Sequence, residues 1–255
     1  MANEGKDLNI EKVGILQIPK KVESKLDKVL PEQAKDTIKR FRVYLHGITN
    51  KYDAELSFQK DWSNKFKENK TKVMQYWKKY RYLDEIKEVC KIAEDSKILD
   101  VGCGISSVLH FVKGYRFGID PLADQYRKLY EYPEGITIRK GFGENIPFKD
   151  NCFDIVFCSN VLDHVTDPER AIEEIRRVLI SEGFFVLTVE VFEENIKRGL
   201  EHPHTLSKKD VRDFLRGRFK SIFERESPWI PLFRYVNGSR KSDTSEWILI
   251  LKPVI

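Results

Sequence analysis

The chain of 255 residues is short of several things, and each shortage removes a class of protein. No run approaches the roughly 18 consecutive apolar residues of a membrane-spanning helix. The opening Met1-Ala2-Asn3-Glu4-Gly5-Lys6-Asp7 is polar and lacks the apolar core of a secretory leader, so a cytoplasmic location is expected. Only four cysteines occur, Cys90, Cys103, Cys152 and Cys158, and no two stand as C-x-x-C. None has histidines at metal-ligand spacing, so reduced thiols and no metal are expected. There is no internal repeat and no low-complexity tract.

What is present is enough to fold. Apolar residues make up 41% and aromatics 12%, which supports a core and argues against disorder. The net charge of +5 is uneven. Residues 1–97 carry 22 Lys and Arg against 16 Asp and Glu, whereas residues 98–255 carry 23 against 24. This basic character suits an anionic partner, and it equally suits a solvated helical face because acids interleave with the bases.

The first third reads as helical. A short strand is expected at residues 13–18. Pro31 opens a helix with Ala34, Ile38, Phe41 and Leu45 at helical spacing, and Gly47 is placed to end it. Further helices are expected over 53–68 and 72–93, the latter with a break near Tyr80. This region holds Tyr52, Phe58, Trp62, Phe66, Tyr76, Trp77, Tyr80 and Tyr82. Such a set suits the lining of a substrate pocket, and it suits plain packing of helices on a sheet equally well.

From residue 97 the pattern alternates. Strands are expected at 97–101, 115–119, 136–140, 153–159 and 183–190, with helices near 106–112, 122–130 and 168–180. Asp167 and Pro168 make a good start for the last helix, and Ala171, Ile172, Ile175, Val178 and Leu179 form its apolar stripe. Such alternation implies a parallel sheet covered on both faces. A helix near 207–217 precedes two more strands, 219–226 and 246–252, which are expected to pair antiparallel.

Ile98-Leu99-Asp100-Val101-Gly102-Cys103-Gly104 is a buried strand running into a tight turn. Its glycines allow positive φ and close approach of a ligand, and a helix is expected to follow with its free N–H groups facing the crevice. Gly118-Ile119-Asp120 closes a second strand with an acid suited to the paired hydroxyls of a ribose.

Four segments in this order resemble the class I S-adenosylmethionine-dependent methyltransferases, within the broad group that includes the quinone-biosynthesis C-methyltransferases. They are residues 98–104, residues 118–120, Gly141-Phe142-Gly143-Glu144-Asn145-Ile146-Pro147-Phe148, and the stretch from Phe153 through Asn160 to Val165. The likeness is dense over 98–187 and does not reach the first 90 residues. It implies a Rossmann-like, seven-stranded, mostly parallel α/β sheet with helices on both faces at 95–255. A helical extension over 1–94 would cap the substrate.

By this resemblance the cofactor is S-adenosylmethionine. Asp100, Gly102, Cys103 and Gly104 would hold its methionine end, Asp120 and Pro121 its ribose, Gly143, Glu144 and Asn145 the adenine, and Asn160 the crevice side. Other roles remain open for some of them: a cap for Asp100, a turn for Asp120, a strand-end cap for Asn160, and a capping or solvent-facing role for Glu144. Phe142 stands where many relatives have a polar residue, and Ser181-Glu182-Gly183 replaces their Pro-Gly-Gly turn.

A dehydrogenase of this general fold prefers a third glycine where Ile105-Ser106-Ser107 stands, so a pyrophosphate is poorly served. The reaction expected is methyl transfer to a small molecule, first O-methylation of a sugar or other metabolite, then methylation of a lipid or quinone-like ring. An inactive cofactor-binding scaffold and a nicotinamide enzyme are the readings from other classes. No Asn-Pro-Pro-Tyr signature or basic stripe points to nucleic acid. If a general base is needed, His164, His202 and His204 are the candidates.

Overall fold

The computed structural model describes residues 32–193, 202–239 and 244–254, with backbone alone over 32–50. The strand expected at 13–18 and the helix-opening Pro31 lie outside them. The chain divides into two compact units, Met1–Thr49 and Asn50–Ile255. In the first unit the described backbone is helical.

Helix α1 spans Glu32–Tyr80 with non-helical backbone at Asn69, where φ is −122° and ψ is 22°. Gly47 does not end it. A lone helical glycine costs only about 1 kcal/mol, which its neighbours outweigh. The expected break near Tyr80 is present. Tyr82 turns the chain with φ of 53° and precedes α2, Leu83–Val89.

Seven strands follow: β1 Lys97–Val101, β2 Tyr115–Asp120, β3 Ile136–Lys140, β4 Phe153–Ser159, β5 Leu179–Val191, β6 Phe219–Pro228 and β7 Ser245–Pro253. Their order is β3-β2-β1-β4-β5-β7-β6. The first five are parallel, and β7 runs antiparallel between β5 and β6. The order reverses at β1, where a crevice opens outside the carboxyl ends of parallel strands.

The connecting helices are α3 Ala123–Leu129, α4 Pro168–Val178, α5 Lys208–Leu215 and the short α6 Leu232–Val236. As expected, Asp167 caps α4, accepting from Arg170 N at 3.0 Å, and Pro168 sits in its first turn. Ser207 and Asp210 close a reciprocal cap on α5.

Two local expectations are corrected. No α-helix follows the glycine turn; only the 3₁₀ turn Val108–His110 does. Ser107 gives the reason. Its hydroxyl donates to Asp100 and accepts from Leu109 N, closing the turn tightly. Ser181-Glu182-Gly183 is no turn, because β5 starts at Leu179 and takes up the extra residues as a shift in register against β4.

Side chains alternate between two cores. Ile98, Ile155, Phe157, Val186 and Ile248 face one side, together with Trp62, Phe66, Tyr76, Trp77 and Tyr80 of α1. Leu99, Val101, Val156, Leu187 and Leu249 face the other, with the α4 stripe Ala171, Ile172, Ile175 and Val178. Most of the aromatic set of α1 is therefore packed on the sheet. Phe58 differs, with 44% of its surface exposed. Among the described residues no helix is long and apolar enough to cross a membrane.

Candidate functional site

The carboxyl ends of β1, β2, β4 and β5 bring most of the expected cofactor residues to one edge. Gly102 and Gly104 have φ of +69° and +51°, and Gly102 N and Cys103 N both donate to Ile119 O. A side chain at Gly102 would run into Val161, the second residue after β4. Asp100 on β1 and Asp120 on β2 are both buried.

The two acids are held differently. Asp120 accepts from Gly104 N at 3.2 Å and from Leu122 N at 2.9 Å, one bond on each oxygen. It thereby ties the glycine turn to the start of α3, with Pro121 between them. Asp100 accepts from Ser107 Oγ at 2.6 Å through one oxygen only. Its other oxygen is buried with no hydrogen-bond partner among the described residues. Burial pushes both carboxyls up to about 7.

Sequence reasoning expected Asn160 here but missed Ser159, Thr188 and Gln59. Ser159 Oγ, Asn160 Oδ1 and Thr188 Oγ1 are buried without hydrogen-bond partners among the described residues. Together with Asp100 they line the ends of three neighbouring strands. Asn160 itself has φ of 54° and donates its N–H to Thr188 O at 2.9 Å. The signal for Thr188 was available, as a hydroxyl breaking an apolar strand. The third missed group, Gln59 of α1, reaches across to the turn, and its Oε1 accepts from Ile105 N at 3.3 Å.

The loop after β3 lies alongside. Gly143 is surrounded by Val101, Val165 and Ala171. Glu144 accepts from Thr166 N at 2.7 Å and so braces the approach to α4, while Asn145 is exposed. The half-buried Phe142 joins Asn145 in an isolated β-bridge.

The three candidate histidines do not share one environment. His204 Nε2 donates to Val165 O at 3.0 Å, which uses its ring on the backbone. His202 Nδ1 lies 2.7 Å from Asp163 Oδ2, and Asp163 is 4% exposed. His164 packs on His202 with ring centroids 4.2 Å apart, and desolvation holds it below the usual histidine range. Its Nε2 is 3.9 Å from Asp163, beyond hydrogen-bond length. Donor atoms of Asp163, His164 and His202 lie within 4.8 Å of one another. The 2.7 Å contact has hydrogen-bond length, with a proton shared between ring and carboxylate. Lys51 of α1 donates to the His164 carbonyl, and burial holds its ammonium below the usual lysine range. Asp163 carried no signal in the sequence, because its partner lies 39 residues away.

Residues 99–187 match the methyltransferase domain family. The chain is 31% identical over 166 residues to a probable methyltransferase of Aspergillus luteorubrus, covering 56% of this chain and 57% of the relative. It is 28% identical over 153 residues to an uncharacterized protein of Methanocaldococcus jannaschii, covering 58% and 67%. The chain thus spans little more than half of the fungal relative and two thirds of the archaeal one. The solved structure of a putative sarcosine dimethylglycine methyltransferase from Galdieria sulphuraria superposes with a TM-score of 0.54 at 15% identity, covering 68% of this chain and 84% of that one. That likeness is one of fold. The domain match falls on the strands that carry the glycine turn and its two acids, so residues 99–187 are the segment of this chain that is similar to methyltransferase domains.

Proposed function

We propose that the chain transfers a methyl group from S-adenosylmethionine to a small-molecule acceptor, with O-methylation of a sugar or similar metabolite as the reaction. One observation carries the reading: the buried, half-partnered carboxylate of Asp100 beside the Gly102–Gly104 turn. A ligand with a sulfonium and an ammonium supplies the positive charge this carboxylate lacks, and it brings no phosphate to cradle.

The residues present fit that cofactor. Positive φ at Gly102 and Gly104 makes the tight turn against which the methionine end would sit. Each Asp120 oxygen keeps a lone pair beyond its backbone bond, enough for ribose hydroxyls. Gly143, among Val101, Val165 and Ala171, offers an apolar wall for adenine with backbone polar groups at Glu144 and Asn145. Asn160 Oδ1 faces the same edge as an unused acceptor. The stretch of α1 that carries Lys51, Glu55 and Gln59 would close the site.

When bound, the cofactor supplies an already activated methyl group. The protein's part is in-line placement and exclusion of water. Around Lys51 the charges are Glu55, Glu144 and Asp163. This acidic balance gives no support to an anionic acceptor.

Calorimetric titration with S-adenosylmethionine and S-adenosylhomocysteine, on the wild type and Asp120→Ala, tests the reading. Micromolar binding that weakens at least tenfold in the variant supports it. No binding of either ligand to the wild type sinks it, and specific NADH binding would then favour a nicotinamide enzyme. Binding without S-adenosylhomocysteine formation in a metabolite extract would favour a scaffold.

A further inference from the structure

We propose that His202, held by Asp163, takes the proton from the methyl acceptor, so that the acceptor carries an un-ionised hydroxyl. This rests on the methyltransferase reading above and adds the proton-transfer residue and the acceptor class to it.

The geometry is that of a base with its orienting carboxylate. Asp163 is buried directly after β4, and its Oδ2 accepts from His202 Nδ1 at 2.7 Å. A proton held on Nδ1 leaves the lone pair on Nε2, and the carboxylate stabilises the imidazolium when Nε2 gains a proton. The side chain of His202 remains about a quarter exposed, so its ring is accessible.

Elimination points the same way. His204 spends its ring on Val165 O, and His110 is buried with Nε2 at Ile105 O. Among the described residues His164 has no carboxylate within hydrogen-bond length. Held neutral by burial, its ring can lie against His202 without repelling a positive charge there. The other charged groups facing the pair are Lys51 and Glu55 of α1 and Glu144 of the loop after β3.

The pair also stands at the right edge. Val161 packs on Gly102, and His164 N donates to Val161 O at 2.9 Å, so one turn of chain joins the glycine turn to Asp163. In the step itself the hydroxyl oxygen forms a bond to the methyl carbon. The carbon–sulfur bond breaks with its electron pair left on sulfur. The hydroxyl proton passes to His202 Nε2 and then to water. A carboxylate acceptor is already ionised at neutral pH and would need no such base, whereas an alcohol or phenol does.

The test uses the full chain with His202→Gln, Asp163→Asn and Asp163→Glu. Calorimetry with S-adenosylhomocysteine comes first, and the variants should bind within about twofold of the wild type. Nitrogen-15 NMR should show His202 protonated on Nδ1 in the wild type and mixed between its nitrogens in Asp163→Asn. A panel of sugars, phenols, carboxylic acids and thiols is then assayed for S-adenosylhomocysteine release.

The expected result is turnover of a hydroxyl acceptor with an acid limb in the pH profile. His202→Gln should lower kcat about 10²–10⁴-fold with little change in KM, and Asp163→Glu should recover part of the loss seen in Asp163→Asn. Full kcat in His202→Gln overturns the assignment, as does a requirement for added Zn²⁺ or Mg²⁺ after chelation. So does cofactor binding with no hydroxyl acceptor turned over, although the methyltransferase reading then stands. Failure of the wild type to bind S-adenosylhomocysteine removes both.

Discussion

Arg81 and Glu246 lie 165 residues apart in the chain and meet as a buried ion pair, Nη2 to Oε1 at 2.8 Å and Nε to Oε2 at 3.2 Å. Arg81 follows α1 and stacks over the Trp77 ring at 4.6 Å; Glu246 stands on β7. The pair fastens the end of the helical region to the antiparallel part of the sheet. Burial alone pushes the Glu246 carboxyl up, and the guanidinium beside it pulls it back. Removing one partner strands a buried charge. Glu246→Ala is expected to cost about 3–5 kcal/mol in urea unfolding, and the double variant Arg81→Met/Glu246→Leu clearly less. Equal losses in the two would show that the pair is not a unit.

Gly102 is expected to refuse a side chain. With φ of +69°, alanine there carries about 1–2 kcal/mol of backbone strain, and its Cβ also meets Val161. Gly102→Ala should lower the melting temperature by several degrees and weaken S-adenosylhomocysteine binding in calorimetry. Adding Val161→Ala should recover part of the stability by removing the collision.

Stability without cofactor should fall as pH rises from about 4 to about 7. Folded Asp100 and Asp120 hold their protons up to about 7, whereas unfolded carboxylates lose them near 4. Across that window the folded chain binds more protons than the unfolded one, so these two groups destabilise it progressively as they ionise. Melting curves at pH 5.5 and 8 would show this, with a smaller difference in Asp100→Asn. A cationic cofactor reverses the sign, so the rise in melting temperature with S-adenosylmethionine should be larger at pH 8.

Trp62 should behave as a core residue of the whole fold. It is 2% exposed and packs in the same cluster as strand residues Ile155 and Ile248. Trp62→Ala is expected to cost about 3–5 kcal/mol in urea unfolding, with a single cooperative transition. A change in ligand affinity at unaltered stability would instead mark this part of α1 as a detachable lid.

The strands were legible because their apolar runs are short and end in turn residues. The runs 97–101, 136–140 and 153–159 coincide with β1, β3 and β4. Helix α4 was legible through Asp167, Pro168 and its stripe. The region after Gly104 was not, because Val108, Leu109 and Val112 have helical spacing and only the Ser107 hydroxyl, drawn to Asp100, decides for a 3₁₀ turn. The fate of Glu144 was open as well, and the backbone of Thr166, 22 residues on, settles its cap.

By itself the sequence determined the periodic parts of this protein: alternating strands and helices, the glycine turn, and acids at the ends of β1 and β2. These depend on neighbours a few residues apart, where side-chain spacing and backbone preference act directly. Only the tertiary structure decided which polar groups meet. Asp163 with His202, Gln59 over the glycine turn, Thr188 beside Ser159, and Arg81 with Glu246 are joined across many residues. Such contacts are selected by the cost of leaving a buried polar group alone, and that cost exists only once the layers have closed around it.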